Sequence, residues 1–177
     1  MRRTLPKYPG HSTHEETVLS FGDNADVIVL EELEHAKARS AQIYAEVVGY
    51  GVFADPHQFT VPLPDGDGTL RAIQIALREA KAHPREVNHI TAHATGIILG
   101  DAAKNAAIKA LMLDSASSEV PIRLENVSSI KGLTRYLLGG AGSVKAIFTI
   151  LAVDNVVRIA IDVGIMSMKA LLIRLPT

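Results

Sequence analysis

Between Gly68 and His83, apolar residues fall at Leu70, Ile73, Ala76, Leu77 and Ala80, the spacing of a helix with one apolar face. Pro84 marks its expected end. The short runs on either side, Ile43–Tyr50 and Val87–Ala92, lack that spacing and read as strands. A chain that alternates these two periods is confined to an α/β fold, a layered sheet with helices packed on it. The same reasoning places a buried strand at Val27–Glu32 (VIVLEE) and helical character over Glu31–Arg39. A loop is expected over Ala54–Asp67, where Pro56, Pro62 and Pro64 fall. A helix at Ala102–Leu113, a strand at Pro121–Val127 and strands at Val156–Val163 and Lys169–Leu175 follow. Leu137–Val153 is almost wholly apolar and reads as a buried central helix. Residues 1–20, rich in Pro, His, Thr and Ser, read as a leader or extended arm before one domain over 21–177.

Composition excludes several classes of function. With 18 Lys and Arg against 19 Asp and Glu, the net charge is −1, so no electrostatic footprint for nucleic acid or an anionic membrane is expected. No stretch supplies the roughly 18 uninterrupted apolar residues of a membrane span. Met1-Arg2-Arg3 is followed by Pro6 and Pro9 instead of an apolar run, so no secretory signal is expected. The expected compartment is the cytoplasm, with an organelle matrix as the alternative. There is no cysteine, which removes disulfides, thiolate metal sites and any cysteine nucleophile.

Several familiar motifs fail on context. Gly49-Tyr50-Gly51-Val52-Phe53-Ala54 matches the dinucleotide pattern G-x-G-x-x-A, but Pro56 denies the helix that must open behind it. A bulge or turn is the better reading of those glycines. Gly139-Gly140-Ala141-Gly142 lacks the Lys and Ser/Thr of a phosphate loop and is expected to allow close backbone packing. His89 and His93 stand four apart on a predicted strand, too far for a compact chelate, so no metal is expected. No Ser lies in a G-x-S-x-G elbow.

Two strand–loop junctions remain: His93-Ala94-Thr95, and Lys131 with Thr134. Read from the residues alone, they are surface loop residues, or else a His and a Lys that together polarise a carbonyl or stabilise a developing negative charge.

Longer strings carry a resemblance. VLEELEHAKARSAQIYAEVVGYG (Val29–Gly51), ITAHAT with GDAAKNAAIK (Ile90–Lys109) and SSIKGLTRYLLGGAGSVKAIFTIL (Ser128–Leu151) resemble the C-terminal half of the β-ketoacyl-[acyl carrier protein] synthases. The resemblance covers about residues 20–153 in order and spacing. It implies a thiolase-like layered fold, here the C-terminal half with a mixed sheet flanked by helices, usually in a homodimer. It also implies decarboxylative condensation of malonyl-acyl-carrier-protein with an acyl group in fatty acid biosynthesis. Catalytic roles fall on His93, in the place of the His of a His-Gly-Thr motif, and on Lys131. Thr95, Thr134 and Tyr136 take substrate-binding positions. No resident cofactor is implied, since substrates arrive on the phosphopantetheine of acyl carrier protein.

The departures from the family pattern weigh against full activity. Its second His falls on Tyr136 and the preceding Gly on Arg135, while the Glu of its Gly-Asp-x-x-Glu string falls on Lys104. A Tyr offers one hydrogen bond but, with an ordinary pKa near 10, cannot cycle protons as imidazole does. Loss of one of two oxyanion donors costs roughly 3–4 kcal/mol of transition-state stabilisation. The family's Gly-rich closing segment is represented only by Gly164-Ile165-Met166-Ser167-Met168. The half that bears the nucleophile is not in this sequence. The expectation is a synthase-like domain that does not condense acyl groups alone. Alternatives are a non-catalytic partner of a full-length synthase, resembling a chain-length factor, or a module that binds acyl chains or acyl carrier protein.

Overall fold

The computed structural model describes residues 21–54, 62–95, 97–114, 127–155, 159–163, 169–174 and 176. Five strands form one mixed sheet: β1 (Glu46–Val52), β2 (His89–Thr91), β3 (Val127–Ser128), β4 (Ile159–Val163) and β5 (Lys169–Arg174), in the order β1-β5-β4-β2-β3. β5 is antiparallel to both β1 and β4, whereas β2 runs parallel to β4 and β3. The helices are α1 (Leu33–Ala38), α2 (Asp67–Glu79), α3 (Ile98–Asp114), α4 (Lys131–Thr134) and α5 (Ala141–Asn155).

Alternation along β5 assigns the layers. Ala170 and Leu172 join a core with Ala72, Ile73, Ala76 and Leu77 of α2 and Ile108 and Leu111 of α3. The intervening Leu171 and Ile173 pack with Ile150 and Val153 of α5. Because successive strand residues face opposite sides, α2 and α3 cover one face of the sheet and α5 the other. This is the mixed sheet flanked by helices that the sequence predicts, in a helix–sheet–helix sandwich.

The glycines of the G-x-G-x-x-A string serve that layering. A Cβ on Gly49 would lie 2.1 Å from the Ala76 carbonyl oxygen, and one on Gly51 would lie 1.9 Å from that of Ala72. α2 therefore rests on the bare backbone of β1, and small residues at 72 and 76 complete the close approach. The register of β1 against β5 also slips between Val47 and Gly49, which is the bulge expected there.

Several element boundaries differ from expectation. The VIVLEE run is not a buried strand: it pairs with nothing in the sheet, and Val27 and Val29 are 85% and 81% exposed. β-Branched residues favour a strand only where a sheet edge offers partners, and here Glu32 ends the run by capping α1, its carboxylate accepting the His35 N–H at 2.7 Å. α2 ends at Glu79, before Pro84, because Lys81 adopts φ +51°. Pro84 instead starts a short 3-10 turn capped by His83. α5 starts four residues later than expected and is buried on only one face. It buries Val144, Ala146, Thr149 and Val153 but leaves Phe148 and Leu151 each 46% exposed. Of the glycines in the Gly139–Gly142 string, Gly140 lies against Asn24, whereas a Cβ on Gly139 or Gly142 would meet nothing within 4 Å among the described residues. Leader residues 1–20, most of Pro121–Val127 and Gly164–Met168 lie outside the described residues.

Candidate functional site

β2 and β3 are parallel neighbours, so the loops that follow them emerge at the same end of the sheet. The Ala92 N–H donates to the Ser128 carbonyl at 2.7 Å, and the Ser129 hydroxyl donates to the Ala94 carbonyl at 3.1 Å. These bonds fasten the His93 loop to the start of α4, where Lys131 stands. The expected pair is thereby assembled: Lys131 Nζ lies 3.0 Å from His93 Nδ1, and both side chains are buried.

The chemistry of the two groups fixes the direction of that bond. An ammonium can only donate, so Nδ1 presents its lone pair and the proton of the neutral ring sits on Nε2. His93 is 7% exposed, and its Nε2 is buried with no hydrogen-bond partner among the described residues. Burial, reinforced by the positive charges of Lys131, Lys145 and Lys104, pushes the His93 pKa down to about 2. The imidazole is thus a fixed neutral donor at physiological pH.

Tyr136 enters through its ring. It meets the His93 ring edge-on at 5.7 Å between centroids, and Lys131 Nζ stands 5.6 Å from the Tyr136 centroid. A backbone bridge to Phe21 and a bond from the Gly22 N–H to the Tyr136 carbonyl tether the segment from its other side. Thr95 is buried, and its N–H donates to Asp101 Oδ1 at 3.1 Å. The Thr134 hydroxyl lies 3.3 Å from the Ile130 carbonyl and 3.1 Å from that of Arg135, which occupies its one proton within α4. Of the five expected site residues, His93, Lys131 and Tyr136 are in mutual contact, Thr95 adjoins them along the loop, and Thr134 is turned to the backbone.

Two buried lysines extend the site. α3 begins at Ile98, one turn before its expected start, so Asp101 falls in its first turn and reaches back to Thr95. Lys104 consequently sits in the second turn, buried, with its Nζ lacking a partner among the described residues. Lys145, on α5, is almost fully buried and was not identified as a site residue from sequence. The signal was nevertheless present, because Lys145 is the single charged residue in the apolar run Leu137–Val153. His89 takes no part: its Nε2 lies 3.1 Å from Ser128 Oγ. Among the described residues no group of three or more His, Asp or Glu is placed to hold a metal ion, and no helix is long and apolar enough to cross a membrane.

Comparisons with known proteins agree with this geometry. The family described as "Beta-ketoacyl synthase, C-terminal domain" matches residues 44–160, which include every site residue named above. The chain is 46% identical over 135 residues to the mitochondrial 3-oxoacyl-[acyl-carrier-protein] synthase of Arabidopsis thaliana, covering 76% of this chain and 28% of that one. It is 44% identical over 138 residues to 3-oxoacyl-[acyl-carrier-protein] synthase 2 of Vibrio harveyi, covering 77% and 32%. The chain therefore spans only about a third of the length of these relatives. Among solved structures, the ishigamide ketosynthase/chain length factor superposes with a TM-score of 0.81 at 26% identity, over 98% of this chain and 48% of that one. A type II PKS acyl-carrier protein in complex with its ketosynthase shows the same fold, with a TM-score of 0.82 at 22% identity over 97% and 48%. The fold is thus that of the thiolase-like ketosynthases, and the chain belongs to the β-ketoacyl synthase family, of which it carries the C-terminal domain.

Proposed function

We propose that this chain supplies the thioester-activating half of a fatty-acid condensing centre, with His93 and Lys131 as its working groups. The observation that carries the reading is the buried Nε2 of His93, unpartnered among the described residues and held as a donor by Lys131 at Nδ1. When a malonyl thioester loses carbon dioxide, the electron pair of the broken C–C bond flows into the carbonyl and leaves negative charge on its oxygen. A preorganised N–H aimed at that oxygen stabilises the charge as it forms. Lys131 keeps the ring in the required tautomer and contributes positive charge behind it. Tyr136 and Thr95 shape the walls of the site. With no cysteine in the chain, nothing holds a second acyl group, so the enolate takes a proton and the product is an acetyl thioester. The substrate class is malonyl carried on the phosphopantetheine of acyl carrier protein, with no resident cofactor. The names of the relatives support that choice, and the cytoplasm or an organelle matrix is the corresponding compartment.

The test is carbon dioxide release from malonyl-acyl-carrier-protein by the purified chain, with His93→Ala beside it. Release without ketoacyl product, reduced at least 10-fold in the variant, is the expected result. Ketoacyl product from the pure chain, or release unaffected by His93→Ala, contradicts the reading.

A second reading, that the chain works as a partner subunit, rests on the exposed apolar side chains of Val27, Val29 and Leu30 in a segment without sheet partners. A self-associating chain, or a stable complex with a full-length synthase, is expected on that reading. Sedimentation as a monomer at micromolar concentration, with or without the synthase, contradicts it.

A further inference from the structure

The cluster around His93 carries an excess of buried positive charge. Lys104, Lys131 and Lys145 are all buried, and all three act electrostatically on His93. Asp101 offsets part of the charge on Lys104, but one of its carboxylate oxygens already receives the Thr95 N–H. Lys104 is 5% exposed, and its Nζ meets no hydrogen-bond acceptor among the described residues. The Nζ lies back along α3, 3.8 Å from where a Cβ on Gly100 would stand.

A protonated amine in this position is a buried cation that meets no acceptor among the described residues and whose charge Asp101 offsets only in part, which is a costly arrangement. Burial is the main cause that lowers the Lys104 pKa to about 8, with Asp101 opposing the change and Lys145 adding to it. Near that pH much of the chain therefore carries a neutral amine with a free lone pair. Among the described residues Lys104 has no acceptor, and the Asp101 carboxylate offsets its charge only in part.

We propose that Lys104 is a carbamylation site, where Nζ adds carbon dioxide to become an N-carboxylysine. The nitrogen lone pair forms the new N–C bond, one C–O π pair moves onto oxygen, and one N–H proton leaves to water. The balance is amine plus carbon dioxide giving carbamate plus a proton, with no oxidant or reductant. Carbon dioxide fits the site better than a preformed anion because it is small and uncharged, so it enters a packed interior without shedding a hydration shell. The reaction replaces a buried cation by a carboxylate within reach of the Lys145 charge, and brings acceptor oxygens to a position that has none among the described residues. The site does not depend on the proposed decarboxylation, although carbon dioxide is a product of that reaction.

The experiment is carbon-13 NMR of the full chain in carbon-13-labelled bicarbonate near pH 8, beside Lys104→Gln and Lys104→Arg. The arginine variant keeps a cation at the position and removes the nucleophilic amine. The expected result is a carbamate carbonyl signal that approaches one per chain in the parent and is lost in both variants. Bicarbonate, but not chloride at equal ionic strength, is also expected to raise the Tm of the parent alone. No carbamate signal at saturating bicarbonate overturns the proposal, as does a signal retained in folded Lys104→Arg, which assigns it to another amine. A bicarbonate-dependent rise in Tm without the signal also overturns it, because that is simple anion binding.

Discussion

Lys131 donates from Nζ to His93 Nδ1 across 3.0 Å, and that bond decides which face of the imidazole is left for chemistry. The partners come from segments 38 residues apart, joined by parallel pairing of β2 with β3 and by the Ser129 bond to Ala94. The sheet brings these residues together, and their local sequences need only supply the strand ends. The pair has an energetic consequence as well. Unfolded chains protonate His93 near its ordinary 6.5, whereas the folded chain resists protonation down to about 2. The contribution of His93 is thus fully present above 6.5 and is lost as pH falls toward 2.

Lys104 has a matching effect on the alkaline side. Its proton is held less tightly in the folded chain, at about 8, than at the ordinary 10.5, so unfolding takes up protons between those values. Stability in carbon-dioxide-free buffer is therefore expected to climb as pH rises from 8 to 10.5. Lys104→Met is expected to raise stability at neutral pH by up to about 3 kcal/mol and to flatten that climb. Urea unfolding across this range checks it, and a variant less stable than the parent at neutral pH contradicts it.

Arg135 is strained where the family pattern has Gly. Its φ of +64° with ψ of −173° lies in a region that only glycine occupies readily. Arg135→Gly is expected to stabilise the chain by about 1 kcal/mol net, the relief of strain outweighing glycine's added freedom in the unfolded state. Arg135→Ala keeps the steric conflict and is expected to give no such gain. The urea midpoints of the two variants decide the matter.

Gly51 has the opposite sensitivity. A methyl group there meets the Ala72 carbonyl oxygen at 1.9 Å, so α2 must lift away from β1. Gly51→Ala is expected to cost about 3 kcal/mol, read from the urea midpoint. A loss under about 0.5 kcal/mol means that helix and strand are not packed as closely as described.

The sequence made α2 legible because its apolar positions repeat at helical spacing and the face they form packs on β1, β5 and α3. His93 and Lys131 were legible because both stand just beyond short strands. The VIVLEE run was misread because β-branching records a preference that only a neighbouring strand can realise, and none pairs with it among the described residues. The ring contacts of Tyr136 with His93 and Lys131 are a different matter: residue type suggests a hydroxyl donor, and only the fold shows its ring set against both side chains. Lys104 was visible as a departure from the family pattern, but its burial, with no partner for Nζ among the described residues, is set by tertiary packing that local sequence does not reveal.

The most direct measurement is nitrogen-15 NMR of the His93 ring between about pH 5 and pH 8, where an unperturbed histidine titrates. The expected spectrum has a protonated Nε2 and an unprotonated, hydrogen-bonded Nδ1, unchanged across the range, with Lys131→Met moving the titration upward. A ring that titrates near 6.5, or that carries its proton on Nδ1, contradicts a fixed Nε2 donor and the chemistry proposed for it.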